Sequence, residues 1–314
     1  MSVKISEKEY KSYGKCVFIE NDSCALAVTV EFGPRVIYFA LNGKENVMLE
    51  DEEGSFTVDV EGYGTWRNRG GHRLWVAPEL IPETYNPDND PVAYKADGDT
   101  VTFTPPATPF GKQLETVITL DASKPIVTVT QRIKNIGDKE ADFALWSITG
   151  LTAGGTAVIP MCTRKSGYLP NRVMSLWDYS DVNDPRFKLT NEYVRIRQDK
   201  FIQGAFKAGF NVEDGFAAYA VNEQIFVKCF GEYQFVEYPD YSCNFEMYTN
   251  SKFLECEILG EKRKYQPGET AEVTETWHLL DNKGDIEEWH CLWHLRHLLV
   301  TVVLWQQNQK PFLG

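Results

Sequence analysis

Apolar and polar residues alternate with a period of two along most of the chain, the pattern of strands that bury one face. The alternation runs through Ala25–Phe32, Arg35–Leu41, Val101–Thr104, Leu114–Leu120 and Ile126–Ile133. It resumes in Phe143–Thr149, Glu192–Arg197, Gly215–Phe230 and Ala271–Leu280. Turn formers separate these runs: Gly33-Pro34, Asp97-Gly98-Asp99, Asn135–Gly137 and Pro267-Gly268, with Asn222–Gln224 closing a hairpin. No window before residue 285 carries a helical repeat, and there is no internal repeat or low-complexity linker. The pattern predicts an all-β domain of more than a dozen antiparallel strands over residues 1–284. That many strands favours two packed sheets over one open sheet.

The pattern changes at residue 285. Residues 285–314 form an apolar tail rich in leucine and aromatic residues, open to reading as an amphipathic helix, an oligomer contact or a segment foreign to the domain. His290, His294 and His297 have the spacing of one helix face, with Cys291 adjacent. No carboxylate completes a ligand set there, so no metal and no cofactor is expected.

Charge narrows the partners. Lys and Arg total 32 against 45 Asp and Glu, a formal net charge of -13. Such a surface repels phosphate backbones and anionic lipid, so neither nucleic acid nor a membrane is the expected partner. The N-terminus lacks the apolar core of a signal peptide, and the longest apolar stretch, around Leu298–Trp305, is too short to span a bilayer. Seven cysteines without a C-x-x-C pair read as reduced, buried thiols of a cytoplasmic protein. The chain is expected as a monomer or homodimer.

Three segments carry candidate chemistry. Tyr63–Glu79 gathers Arg67, Arg69, His72 and Arg73 between Trp66 and Trp75, beside Gly70-Gly71, where a ligand or another backbone can approach closely. Guanidinium and imidazole donors next to an indole suit a sugar, which offers a hydroxyl rim and an apolar C–H face. The second region is Tyr238–Glu257, and in its strand Phe253–Glu257 alternation puts Phe253, Glu255 and Glu257 on one face and Leu254 and Cys256 on the other. Two carboxylates beside an aromatic suit general acid–base work, and a solvated sheet face is the alternative. Leu176–Phe187 supplies Asp178, Asp181, Asp184 and Arg186 without the glycine turn of a calcium site, and reads as an aspartate-capped loop aromatic enough to line a cleft. No nucleophile elbow, P-loop, dinucleotide fingerprint or H-E-x-x-H motif is present.

Taken in order, these segments resemble the aldose 1-epimerase (galactose mutarotase) superfamily over about residues 15–282. The matching pieces are Gly33–Asn46, Arg69–Glu79, Ala144–Thr149, Leu176–Phe187, Phe253–Gly260 and Gln266–Leu279. The Gly-Gly-His-Arg-Leu-Trp segment resembles that of an uncharacterised branch. The resemblance implies a β-supersandwich of two large antiparallel sheets whose concave sheet holds a sugar. It also implies interconversion of the anomers of a hexose or hexose phosphate, with a glutamate as base and a histidine as acid. By position it makes Glu257 the base, with Glu255 next, and Arg69 a substrate ligand. The strand that usually presents the acid reads ALWSIT, with Trp146 and Ser147 in its place. His72 is then the candidate acid, and Arg73, Trp75, Glu79, Trp146, Asp184, Arg186 and Phe253 are the further substrate contacts. The alternative is a non-catalytic sugar-binding or sensing protein that keeps the cleft without the acid. Both readings require Arg69, His72 and the Phe253–Glu257 carboxylates to converge in one concavity.

Overall fold

The alternating segments become strands in a computed structural model that describes residues 2–282. One antiparallel sheet of eleven strands begins with Lys4–Glu9, Lys15–Glu20, Cys24–Thr29 and Val36–Leu41. It continues through His72–Ala77, Ala141–Leu151, Leu254–Leu259, Phe245–Thr249, Phe206–Phe210 and Met174–Leu176, with Arg263–Tyr265 paired to the start of Ala141–Leu151. A second sheet of ten strands has Gln224–Cys229, Thr270–Asp281 and Ile126–Asn135 near its middle. A ribbon of Thr57–Val60 and Gly64–Arg67 stands apart from both. The expected all-β class and paired large sheets are what the chain adopts. The hairpin turn is one residue shorter than expected: Asn222 and Glu223 take left-handed φ values of 51° and 54°, and Gln224 already belongs to the next strand. The tail from residue 285, with its three histidines and Cys291, lies outside the described residues.

The period of two turns one side of each sheet toward the other. Leu26, Val28 and Phe39 of the first sheet pack with Val129, Phe226 and Trp277 of the second. Phe39 and Phe226 meet edge to face at 6.3 Å, and Phe226 meets Trp277 at 5.6 Å. Each such side chain, fully buried, contributes about 1.5–3 kcal/mol relative to exposure. The layer is large enough to need no covalent staple, and the six described cysteines are all free thiols.

One polar cluster interrupts this layer. Lys228 Nζ donates to Thr149 Oγ1 at 2.6 Å and to the carbonyl of Cys256 at 3.2 Å, and lies 3.3 Å from the Glu275 carboxylate. Glu275 also accepts from Trp277 Nε1 at 2.7 Å and from the Ser147 hydroxyl. Burial outweighs the attraction of Glu275 and lowers the Lys228 pKa.

Gly70 and Gly71 have φ of 78° and 65°. A Cβ at Gly70 would lie 2.2 Å from the Leu49 carbonyl oxygen, and one at Gly71 would lie 2.4 Å from that of Val36. Of the two explanations for this glycine pair, the structure shows close approach of backbone to backbone. The pair lets the chain enter the strand His72–Ala77 tightly against its neighbours.

Candidate functional site

The outer face of the eleven-stranded sheet carries a cleft of about 510 Å³. Its floor follows from strand register. Trp75 lies opposite Trp146, and Arg73 opposite Ile148. Ile148 in turn pairs with Glu257, and Gly150 with Glu255. Glu257 then pairs with Glu246, Glu255 with Tyr248, and Tyr248 with Lys207. Because side chains alternate, these residues share the face opposite the apolar core formed by Leu254, Cys256 and Ile258.

Two charge clusters sit on this floor. Arg73 donates to Glu255 at 2.9 Å, and its guanidinium lies 4.2 Å from the ring of Trp75. Its Nε has no partner. Beside it, Glu257 accepts from Trp146 Nε1 at 3.0 Å and from Lys207 Nζ at 2.9 Å. Lys207 also lies 2.8 Å from Glu246, whose oxygens are in no well-directed hydrogen bond. The ammonium is held between the indoles of Trp146 and Trp177, at 4.7 and 4.6 Å from their centroids. Burial raises the Glu257 carboxyl above the ordinary range, the Lys207 ammonium opposes that rise, and Glu255 adds to it. Glu246 is raised further for the same reason, burial beside another carboxylate. Burial alone would lower Lys207, but the two carboxylates outweigh it and hold its pKa above that of an ordinary lysine.

Seven of the eleven residues singled out in the sequence line this cleft: Arg73, Trp75, Glu79, Trp146, Phe253, Glu255 and Glu257. Glu79 is exposed and hydrogen-bonded to the hydroxyl of Tyr85. The other four are elsewhere. His72 is adjacent to Arg73 on a strand and therefore points to the opposite face. There it is 1% exposed, with Nδ1 2.9 Å from Thr149 Oγ1 and Nε2 2.9 Å from the Gln131 amide. Burial beside Lys228 and Arg73 drives its pKa well below the ordinary histidine value, so it stays neutral in the core and faces no ligand. Arg69 is not in the cleft. It packs over Phe32 at 4.1 Å and donates to Asn89. Asp184 and Arg186 pair with one another, at 3.0 and 2.7 Å, within their own loop, and the Arg186 Nη1 is left without a partner. The concavity thus forms around Arg73 and the carboxylates, without Arg69 or His72.

Sequence reading missed Lys207, and it did not single out Glu246 and Tyr248 within Tyr238–Glu257 or Tyr179 within the loop Leu176–Phe187. Lys207 had a visible signal, a lone cation inside F-K-A-G-F. Its carboxylate partners come from strands some forty and fifty residues later, and only cross-strand register joins them. Among the described residues no group of His, Cys, Asp and Glu has the arrangement to hold a metal ion, and no helix is long and apolar enough to cross a membrane.

No protein-family model matches the chain, and no curated protein matches it in sequence. Solved structures do match. The Slr1438 protein of Synechocystis sp. PCC 6803 is similar at a TM-score of 0.55 and 14% identity, over 85% of this chain and 96% of that one. A putative mutarotase, YeaD, from Salmonella typhimurium matches at 0.55 and 12% identity, over 88% and 94%. A galactose mutarotase-like protein from Lactobacillus casei matches at 0.54 and 11% identity, over 84% and 100%. At these identities the likeness establishes the fold, a galactose mutarotase-like β-sandwich, and nothing finer.

Proposed function

We propose that the cleft binds a carbohydrate. The observation that carries this reading is the floor itself: indoles of Trp75 and Trp146 stand beside buried, oppositely charged groups that point into one cleft. Aromatic faces suit the apolar C–H side of a sugar, and carboxylate and guanidinium groups suit its hydroxyls. The lining carries three carboxylates (Glu79, Glu255, Glu257) and three cations (Arg73, Lys207, Lys252), and Glu246 behind Lys207 adds a fourth carboxylate, so no cation is in excess. Arg73 is the only arginine of the lining, and Glu255 already meets its charge. That balance favours an uncharged sugar over a sugar phosphate. Small-molecule carbohydrate as the partner also agrees with the putative mutarotase among the structures of this fold.

A second reading adds catalysis. Glu257, buried with a raised pKa, has the character of a base that takes the proton of an anomeric hydroxyl. Against it, the two histidines among the described residues, His72 and His278, both lie outside the cleft lining. Lys207 is engaged by two carboxylates, Glu246 and Glu257, which raise its pKa above that of an ordinary lysine. Binding without rapid anomer exchange is the reading these groups favour.

Calorimetry with a panel of hexoses, their di- and trisaccharides and hexose phosphates tests the proposal. Heat with a neutral sugar, reduced at least ten-fold in affinity by Trp75→Ala, is the expected result; silence across the panel would end it. Anomer exchange of freshly dissolved α-glucose and α-galactose, followed by NMR, tests the second reading. Acceleration over buffer that Glu257→Gln removes would establish catalysis.

A further inference from the structure

We infer that the cleft is built for an oligosaccharide, with room for at least two linked pyranose rings. The inference rests on the carbohydrate reading and concerns the size class of the ligand.

Three features of the floor carry it. The first is volume. A hexose displaces about as much as six or seven waters, near 200 Å³ at about 30 Å³ each. The cleft holds about 510 Å³, more than twice that.

The second is the placement of aromatic platforms. Half-buried Trp75 is one, with the buried Trp146 meeting it edge to face at 5.5 Å. Half-buried Tyr248 is the other, backed by the buried Phe253 with centroids 5.8 Å apart. Tyr248 lies in register with Glu255 and so with Gly150, two strands over and four residues along from Trp146. At about 4.8 Å per strand and about 3.3 Å per residue, the backbone positions of Trp146 and Tyr248 are about 16 Å apart, and Trp75 lies one strand further. One ring cannot stack on both platforms, whereas two or three linked rings can.

The third is what lies between them. Glu257, Lys207 and the Arg73–Glu255 pair occupy the intervening floor. The Arg73 Nε, in a side chain only 7% exposed, is unpartnered. Polar groups between two apolar platforms match the hydroxyls and the linking oxygen of a chain laid across both. Tyr179, 48% exposed at the rim, extends the apolar surface beyond the floor.

The test is calorimetry on the full chain with glucose, galactose and mannose, and with α- and β-linked di- and trisaccharides of the same sugars. At least one disaccharide is expected to bind ten-fold or more tighter than its monosaccharide, and Tyr248→Ala to bring that ratio back toward one. Saturation-transfer NMR of the bound disaccharide should then mark protons on both rings. Monosaccharides binding as tightly as every longer sugar, or saturation confined to one ring, overturns the inference and leaves the carbohydrate reading standing. No binding by any member overturns both.

Discussion

Two buried lysines lie on opposite sides of the eleven-stranded sheet, and their difference separates a structural charge from a functional one. Lys228 rises from the second sheet into the closed layer between the sheets, where a hydroxyl, backbone carbonyls and one carboxylate take up its donors. Lys207 lies on the outer face, shared by two carboxylates and framed by two indoles at a cleft. Burial lowers the first and carboxylates raise the second. The first cluster faces no open volume, although the Oε1 of Gln131 beside His72 is without a partner. The second leaves polar atoms without partners beside open volume. A buried charge alone does not mark a site; unspent polar capacity next to open space does.

Breaking the closed cluster should have the largest effect. Lys228→Met leaves Glu275 uncompensated in the core and should cost about 3–5 kcal/mol in urea unfolding. Lys207→Met should cost less, about 1–3 kcal/mol, because Glu257 sits at the cleft and the raised carboxyls can take up protons. It should nevertheless abolish sugar binding measured by calorimetry. A Lys207→Met loss equal to that of Lys228→Met, with binding intact, would erase the distinction.

His72 sharpens the comparison through pH. Its native pKa lies well below the ordinary value, so as pH falls below about 6.5 the unfolded chain takes up a proton that the native state refuses. Stability therefore drops with acidification, by up to about 1.4 kcal/mol per pH unit for that proton. His72→Gln should flatten the slope by about one proton in urea titrations between about pH 7 and about pH 5, with sugar affinity unchanged. An unaltered slope would mean that His72 titrates freely. The smallest effect belongs to the rim: Glu79→Gln, exposed and bonded to Tyr85, should change stability by no more than about 0.5 kcal/mol.

The same period of two explains what the sequence disclosed and what it hid. Along Phe253–Glu257 it assigned both carboxylates to one face, and both line the cleft. Along His72–Ala77 it separates His72 from Arg73, yet the R-N-R-G-G-H-R cluster reads as one basic patch until the strand is known to begin at His72. Gly70-Gly71 pointed to close approach without saying of what. Lys207 and Glu246 were hidden because their meaning lies in register between strands distant in sequence, which alternation within one strand does not encode. The architecture was legible because it depends on many repeated local signals; the site depends on a few long-range pairings.

The central claim is that ligand enters on the Lys207 side of the sheet and leaves the Lys228 side untouched. Tryptophan indole N–H resonances report on both. Trp146 Nε1 donates to Glu257 in the cleft and Trp277 Nε1 to Glu275 in the core. Titration with the tightest-binding sugar should shift the Trp146 and Trp75 signals and leave Trp277 in place. A Trp277 shift as large as theirs, or no indole shift at saturating sugar, would contradict the account.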